Sequence, residues 1–275
     1  MHMNINEVVI AIPSFERADT LKNCTLRTLE NLNTKFQIYI FVSNEQEKNK
    51  YDTILLKNSF TEIIVTNTSG LASKRNFISD YMKTYTDFKY IVQLDDDILD
   101  IVERLDEKNC IQMNNFDNFC CEMFLLCQKN QTILWGVYPL TNPYFMNEHI
   151  WVGYIYCVGA FFGIIINKDF DIKLTNTLQE DKERTLKVIM EYGKVIRCNY
   201  VGIKTNYWTN KGGMQSCNQL SHEIRTTENI NQSCENLLKD FAQFCSLKSK
   251  KKKHDFDDVL IHKKIFHKIH KSFFL

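Results

Sequence analysis

Short apolar runs alternate with segments of helical spacing through the first hundred residues, and this alternation limits the folds open to the chain. The runs lie at residues 8–12, 36–42, 62–66 and 89–94, and the helical segments at 18–32, 51–58 and 72–85. Such a pattern is typical of a parallel α/β sheet covered by helices on both faces. The sequence therefore predicts ligands beyond the carboxyl ends of the strands, where residues 13–14, 43–45 and 95–97 fall.

The second half of the chain is less regular. Its spacing predicts a helix at 116–129, strands at 132–138 and 155–166, and a helix at 180–192 that ends at Gly193. We therefore expect one domain over residues 1–225, a mixed and mostly parallel Rossmann-like sheet flanked by helices.

A basic helical appendage is expected over residues 226–275. The near-continuous lysine run at 248–253 precedes a segment in which Leu260 or Ile261, Ile265, Ile269 and Phe273 recur at helical spacing on one face, with mostly Lys and His on the other.

Composition narrows the class of protein. With 275 residues, 44% hydrophobic and 24% charged, the chain is globular, and its net charge of +1 leaves attraction to polyanions to local patches. The ten cysteines have no Cys-x-x-Cys pair and the N-terminal residues are polar, so we expect reduced thiols and a cytoplasmic or nuclear protein that is not secreted. The longest apolar run, 154–166, is too short and glycine-rich to span a bilayer.

Three consecutive carboxylates, Asp95 to Asp97, follow the apolar run 89–94. Mg²⁺ and Mn²⁺ prefer oxygen ligands and keep open positions for nucleotide phosphates, so one interpretation is a metal site. The alternative is that the triplet forms a turn that caps a helix at 98–105. The residues alone leave both interpretations open.

Two nucleotide-binding folds are excluded by missing motifs. No Gly-x-Gly-x-x-Gly follows the first apolar run, so a dinucleotide-binding fold lacks its pyrophosphate turn. Gly-x-x-x-x-Gly-Lys-Ser/Thr is also missing, which excludes a P-loop. The first loop, 12–17, contains no glycine.

Four motifs in order resemble the nucleotide-sugar glycosyltransferases of the GT-A type. They are Ile-Pro-Ser-Phe-Glu-Arg at 12–17, Gly-Leu-Ala-Ser-Lys-Arg-Asn at 70–76, the Asp triplet, and Glu180-Asp181. The resemblance covers residues 7–215. Glu180-Asp181 with the following helix, and the segment 208–215, are similar to base J glucosyltransferases and phage enzymes that glycosylate hydroxymethylpyrimidines in DNA. The aromatic Gln/Arg-x-x-Arg-Trp motif of generic family-two enzymes is absent.

The resemblance implies a donor site. In it, Pro13, Ser14 and Arg17 would line the uridine pocket, and Glu45 would accept hydrogen bonds from the base or ribose. A strand-to-helix loop and a solvated loop carboxylate are the alternatives for these residues.

The segment at 70–76 would hold the diphosphate through Lys74, Arg75 and Asn76. Two cations at a helix start are costly unless an anion lies nearby. Gly70 would let the backbone approach closely, although a plain turn explains it as well.

The resemblance also implies a metal and a base. Asp97 is the first choice as ligand of Mn²⁺ or Mg²⁺. Asp95 would bind the ribose or assist in binding the metal, and Asp96 would lie on the side opposite Asp95 and Asp97. His222 is a candidate third metal ligand.

Asp181, with Glu180 beside it, would be the general base, unless the pair only caps a helix. Two adjacent glycines, Gly212 and Gly213, would admit a phosphate or the acceptor.

The expected activity is inverting, metal-dependent transfer of a hexose, glucose from UDP-glucose, to a hydroxyl acceptor such as hydroxymethylpyrimidine in DNA. The alternatives are a glycan, lipid or protein acceptor, and a non-catalytic nucleotide-sugar-binding module. The basic tail fits DNA phosphates, an anionic membrane surface or a solvated helix. No stable protein partner is expected.

Overall fold

A computed structural model describes residues 3–57, 59–167, 169–205, 226–248 and 258–273. The strands are β1 (Val8–Pro13), β2 (Gln37–Val42), β3 (Glu62–Val65), β4 (Tyr90–Leu94), β5 (Ile98–Arg104), β6 (Cys110–Gln112), β7 (Leu134–Tyr138), β8 (His149–Tyr154), β9 (Phe161–Ile165), β10 (Val195–Thr205), β11 (Cys245–Leu247), β12 (Val259–Ile261) and β13 (Lys264–His270). The helices are α1 (Ala18–Leu21), α2 (Arg27–Asn31), α3 (Glu45–Ile54), α4 (Leu71–Tyr85), α5 (Phe116–Lys129), α6 (Glu180–Tyr192) and α7 (Thr227–Phe241). A π-helical turn, Lys22–Leu26, joins α1 to α2, and short 3₁₀ turns lie at Ile5–Glu7 and Lys271–Phe273.

One large mixed sheet organises the molecule. Its strand order is β13-β8-β10-β7-β9-β4-β1-β2-β3, and β5 pairs with both β10 and β6. The strands β4, β1, β2 and β3 are parallel, whereas β9, β8 and β5 join by antiparallel pairing. The predicted α/β class with a mixed Rossmann-like sheet is confirmed, and the carboxyl ends of β1, β2 and β4 lie at one edge.

Strand β1 shows why both faces of the sheet are covered. Val8, Ile10 and Ile12 pack into a core shared with α2 and α5, whereas Val9 and Ala11 pack into a second core shared with α4, α6 and α7. Successive strand residues point to opposite faces, so a continuous apolar run such as this one is buried on both.

Several predicted elements are confirmed. Helix α5 has the predicted bounds, and α6 ends at Gly193, whose φ of 69° is the left-handed conformation that a glycine adopts without strain. The predicted strand 155–166 is instead confined to β9, and the short helix predicted at 51–58 is α3, which starts six residues earlier at Glu45.

Two helix predictions are wrong. Residues 98–105, proposed as a helix capped by the Asp triplet, form strand β5, and the predicted C-terminal helix contains strands β12 and β13. Both β5 and β13 contain a register shift, at which Leu99 and Phe266 have no partner across the ladder. An extra apolar residue at a bulge disturbs the two-residue period, and the resulting spacing imitates a helix.

The C-terminal region packs with the rest of the chain. Strand β13 is an edge strand of the large sheet, and Ile230, Leu237 and Ile261 belong to the core that α4 and α6 share. The predicted boundary at residues 225 and 226 lies at the limit of a range outside the described residues and stays a prediction.

Candidate active site

The Asp triplet forms a turn between β4 and β5 that is held in place by the first helix. In the π-helical turn, the Thr25 hydroxyl donates to the Asp95 carbonyl at 2.7 Å and accepts from the Ile98 amide at 2.9 Å. Thr28 Oγ1 donates to the Ile98 carbonyl at 3.1 Å. A π-helical turn inside an α-helix often marks a functional site. Here its Thr25 hydroxyl forms hydrogen bonds to both ends of the acidic turn.

The loop after β1 contacts this turn directly. Ser14 Oγ donates to Asp96 Oδ2 at 2.6 Å, and Arg17 Nη1 lies 3.1 Å from Asp96 Oδ1 and 3.4 Å from Asp97 Oδ2. Tyr51 of α3 fixes the loop, because its hydroxyl hydrogen-bonds Ser14 Oγ at 2.7 Å and accepts from the Arg17 amide at 3.0 Å. Asp96 therefore lies on the same side as Asp97, and the expected placement of Asp96 opposite it is wrong, because the chain turns after Asp95 instead of continuing extended.

Arg75 joins the acidic turn to the start of α6. Its Nη2 donates to Asp95 Oδ1 at 2.9 Å and to the Gly159 carbonyl at 3.0 Å, and its Nη1 donates to Gln93 at 2.7 Å. Its Nε lies 3.1 Å from Glu180 Oε1 in an ion pair that lacks hydrogen-bond alignment. Both Arg75 and Glu180 are buried, so this ion pair fixes two distant parts of the chain against each other.

Asp181 is the partly exposed carboxylate next to this ion pair. It accepts from the Tyr156 hydroxyl, and its Oδ2 also accepts from the Gly159 amide at 3.3 Å. Burial and the neighbouring Asp181 carboxylate raise the pKa of Tyr156, so the phenol remains a donor. Glu180 is buried instead between Arg75 and Arg184, whose Nη1 donates to Glu180 Oε2 at 2.5 Å. Glu180 is thus held between two guanidiniums, whereas Asp181 keeps a partly exposed carboxylate.

Comparison with known proteins agrees with this arrangement. Residues 8–122 match the model of a family described as TET-Associated Glycosyltransferase, a range that contains Ser14, Arg17, Arg75 and the Asp triplet. The matched range is similar to that glycosyltransferase family, and the fold is of the GT-A type. No curated protein sequence matches it.

Solved structures similar to this chain include TarS from S. aureus, with a TM-score of 0.50 and 11% identity over 84% of this chain. This chain spans 39% of that TarS chain, and the likeness concerns the fold. A second similar structure is a putative nucleotide-diphospho-sugar transferase from Desulfovibrio desulfuricans G20, with a TM-score of 0.41 and 9% identity over 70% of this chain and 79% of that one.

The structure brings together most of the predicted donor residues. Pro13 ends β1, Ser14 and Arg17 contact the acidic turn, and the Lys74 ammonium donates to the Ser14 carbonyl at 2.6 Å and to Ser43 Oγ at 3.0 Å. The cations that open α4 are accompanied by protein carboxylates, so their position does not by itself require a bound diphosphate.

Other predicted donor residues have different surroundings. Asn76 exchanges two hydrogen bonds of 2.8 Å with the backbone of Leu174, which gives its amide a structural role. Glu45 is exposed in the first turn of α3, whereas the buried Glu47 accepts from the amides of Glu16 and Ser43 at 2.6 and 2.8 Å. Gly70 precedes α4 with a φ of 81° and supplies a turn. The candidates His222, Gly212 and Gly213 lie outside the described residues.

Sequence reasoning missed five side chains that hold this site together. They are Thr25, Glu47, Tyr51, Tyr156 and Arg184. Their partners are distant in sequence, so spacing gave no signal for them. Arg184, four residues after Glu180, is the exception, since an i, i+4 ion pair can be anticipated from the helix period.

Lys74 gives the protein a measurable pH dependence of stability. Burial lowers the pKa of Lys74 to about 8 from 10.5, although Glu47 and Asp96 oppose the shift. Between these two values the unfolded state binds more protons, so this group's contribution to the free energy of unfolding rises as pH increases from about 8 to 10.5. We expect the difference in free energy of unfolding, wild type minus Lys74→Met, to rise with pH by at most about 1.4 kcal/mol per unit.

Urea unfolding of both proteins at a series of pH values measures this difference. Other titrating groups cancel because they are present in both proteins. A difference that stays constant or falls with pH would show that Lys74 does not titrate in this range.

Proposed function

We propose that the enzyme transfers a hexose, glucose from UDP-glucose, to a hydroxyl acceptor with inversion, and that hydroxymethylpyrimidine in DNA is this acceptor. One observation carries the proposal: Arg75 contacts both Asp95 and Glu180, so the carboxylates at the end of β4 and the partly exposed Asp181 share one site. A leaving diphosphate at the first group and a base at the second are the two requirements of the reaction.

The chain's own residues define the proposed step. The acceptor oxygen bonds to the anomeric carbon while the bond from this carbon to the diphosphate oxygen breaks, and its electron pair leaves with UDP. Asp181 takes the hydroxyl proton, and Tyr156 and the Gly159 amide orient its carboxylate. A base on the side opposite the leaving group gives inversion.

A divalent cation fits the acidic turn by its donor chemistry. The side chains of Asp95 and Asp97 are 34% and 13% exposed, and carboxylate oxygens are the ligands that Mg²⁺ and Mn²⁺ prefer. These two aspartates are the proposed protein ligands, and within the described ranges no three His, Cys, Asp or Glu side chains are arranged to hold a metal. A bound cation would neutralise charge on the leaving diphosphate.

The DNA acceptor is proposed from two similarities. Glu180-Asp181 with its helix, and segment 208–215, are similar to hydroxymethylpyrimidine glucosyltransferases, and residues 8–122 match a TET-associated glycosyltransferase family. Among the described residues no helix is long and apolar enough to cross a membrane.

Thermal unfolding tests the donor and metal parts of the proposal. We expect UDP and UDP-glucose to raise the unfolding midpoint only when Mn²⁺ is present, because a ligand that binds the native state stabilises it by mass action. GDP should give a smaller shift. The variant Asp97→Asn should lose the Mn²⁺-dependent shift, whereas Asp87→Asn, at an exposed position between α4 and β4, should retain it.

Two results would contradict the proposal. A nucleotide shift of equal size without Mn²⁺ would remove the metal from the site, and no shift with any nucleotide would remove the donor. If the shift appears, transfer to hydroxymethylated DNA against glycan, lipid and protein acceptors identifies the substrate.

A further inference from the structure

Trp151 of β8 lies between one cation on the neighbouring strand β10 and another on the neighbouring strand β13. In the antiparallel ladders of β8, Trp151 is opposite Arg197 of β10 and opposite Lys268 of β13. The Arg197 guanidinium lies 5.4 Å from the centre of the indole ring and the Lys268 ammonium 5.8 Å from it. A third cation, the Lys263 ammonium between β12 and β13, lies 3.9 Å from the same ring. We call Arg197, Trp151, Lys263 and Lys268 the Trp151 row.

A β-bulge produces this arrangement. Strand β13 pairs regularly with β8 through Ile265 opposite Gly153, but His267 is then opposite Val152, so Phe266 is skipped. Without the bulge, His267 would be opposite Trp151. The bulge therefore selects a lysine, which is charged at all physiological pH values, for this position.

Among the described residues, no carboxylate balances the positive charge of the row. None of its three cations forms an ion pair there with Asp or Glu, although Glu148, just before β8, pairs with Arg104, His270 and Lys271. Burial, Arg197 and Lys268 all lower the pKa of Lys263, which is the direction expected where like charges are held together. Cation–π contacts position these cations but do not neutralise them.

The row also reaches the candidate base. Arg197 Nη1 donates to the Tyr156 carbonyl at 3.1 Å, and the Tyr156 hydroxyl donates to Asp181. Burial lowers the pKa of Arg197, which is partly buried, whereas Lys268 is exposed on the edge strand. The cations thus extend from the edge of the sheet inward toward Asp181.

We infer that the Trp151 row binds backbone phosphates of a nucleic-acid acceptor and guides it toward Asp181. As the acceptor side of the enzyme, this inference rests on the proposed function. A polynucleotide chain can follow cations from an exposed strand to a partly buried guanidinium, whereas a flat lipid surface meets only the exposed ones. The segment Lys264–His270 is the strand β13. The amphipathic helix predicted from the sequence, which would have suited a membrane surface, is therefore absent from this segment.

Fluorescence anisotropy of a labelled single-stranded oligonucleotide with the full chain tests the row. The variants are Lys263→Gln and Lys268→Gln. The matched control is Lys264→Gln, since Lys264 belongs to β13 like Lys268 but its ammonium lies over the rings of Tyr154 and Phe266. Each phosphate contact contributes about 0.7 to the slope of log affinity against log salt for a single strand. We expect Lys263→Gln and Lys268→Gln each to lower the slope by about 0.7 and Lys264→Gln to leave it unchanged.

Other outcomes would overturn the inference. They are equal slopes in all three variants, no oligonucleotide binding by the wild type, or binding only to vesicles of phosphatidylcholine and phosphatidylserine. Because the assay contains no nucleotide donor, it separates the two proposals. Row-dependent DNA binding without a UDP shift would contradict the proposed donor chemistry alone, and a UDP shift without row-dependent binding would contradict this inference alone.

Discussion

Replacing Asp181 with Asn is expected to lower the rate of sugar transfer by about 10²- to 10⁴-fold, the usual contribution of a general base. The amide oxygen of Asn can still accept from the Tyr156 hydroxyl and the Gly159 amide, so the start of α6 should keep its structure. Donor binding should be unchanged, because the donor contacts are expected at the acidic turn. The measurement is acceptor-dependent UDP release, with UDP affinity determined in parallel.

Glu191→Gln is the matched control for this substitution. Glu191 is exposed near the end of the same helix and should retain full activity. A rate for Asp181→Asn within a few-fold of the wild type would exclude Asp181 as the base. Loss of UDP affinity in the variant would instead assign Asp181 to the donor site.

Replacing Arg75 with Met is expected to cause the largest loss of stability, about 3–5 kcal/mol in the free energy of unfolding, as for other broken buried ion pairs. The substitution leaves the buried Glu180 carboxylate without one of its two guanidiniums and removes the donor to Gln93 and Asp95. It also removes a guanidinium that lies 5.1 Å from the centre of the Phe162 ring. The guanidinium of Arg184, on α6, lies 3.6 Å from the centre of the same ring. Urea unfolding measures the change, and an unchanged slope of free energy against urea would show that the unfolded state is the same.

Lys173→Met is the control for Arg75. Lys173 forms ion pairs with Asp80 and Asp171, but its side chain is 53% exposed, so its loss should cost less than about 1 kcal/mol. If Arg75→Met unfolded with a free energy within about 1 kcal/mol of the wild type, the ion pairs would not fix the acidic turn against α6. The geometric basis of the proposed function would then be lost.

The sequence predicted the donor half of the fold well because its patterns there are regular. The strands β1 and β4 are buried at every position on both faces, and the motifs at 12–17, 70–76 and 95–97 follow or precede strands at a fixed edge. Local spacing and the rule for parallel sheets are enough to bring the loop of Ser14 and Arg17 beside the Asp triplet, although they gave the wrong side for Asp96.

The failures have two physical causes. The first is the bulge, since Leu99 and Phe266 are apolar, at least a third exposed and unpaired in the ladder, and each makes a strand resemble a helix. The second is long-range pairing. The sequence pointed to Glu45 instead of Glu47, because only the packing of α3 against the loop after β1 shows which of the two carboxylates faces inward.

The edge position of β13 has a consequence for synthesis of the chain. Its partner β8 leaves the ribosome about 110 residues before β13, which corresponds to about 5–20 s at ordinary rates of translation. During this interval β8 exposes one row of unpaired backbone groups, and such an edge is a template for pairing with another chain. Nascent chains that stop before residue 264 are therefore expected to self-associate through β8.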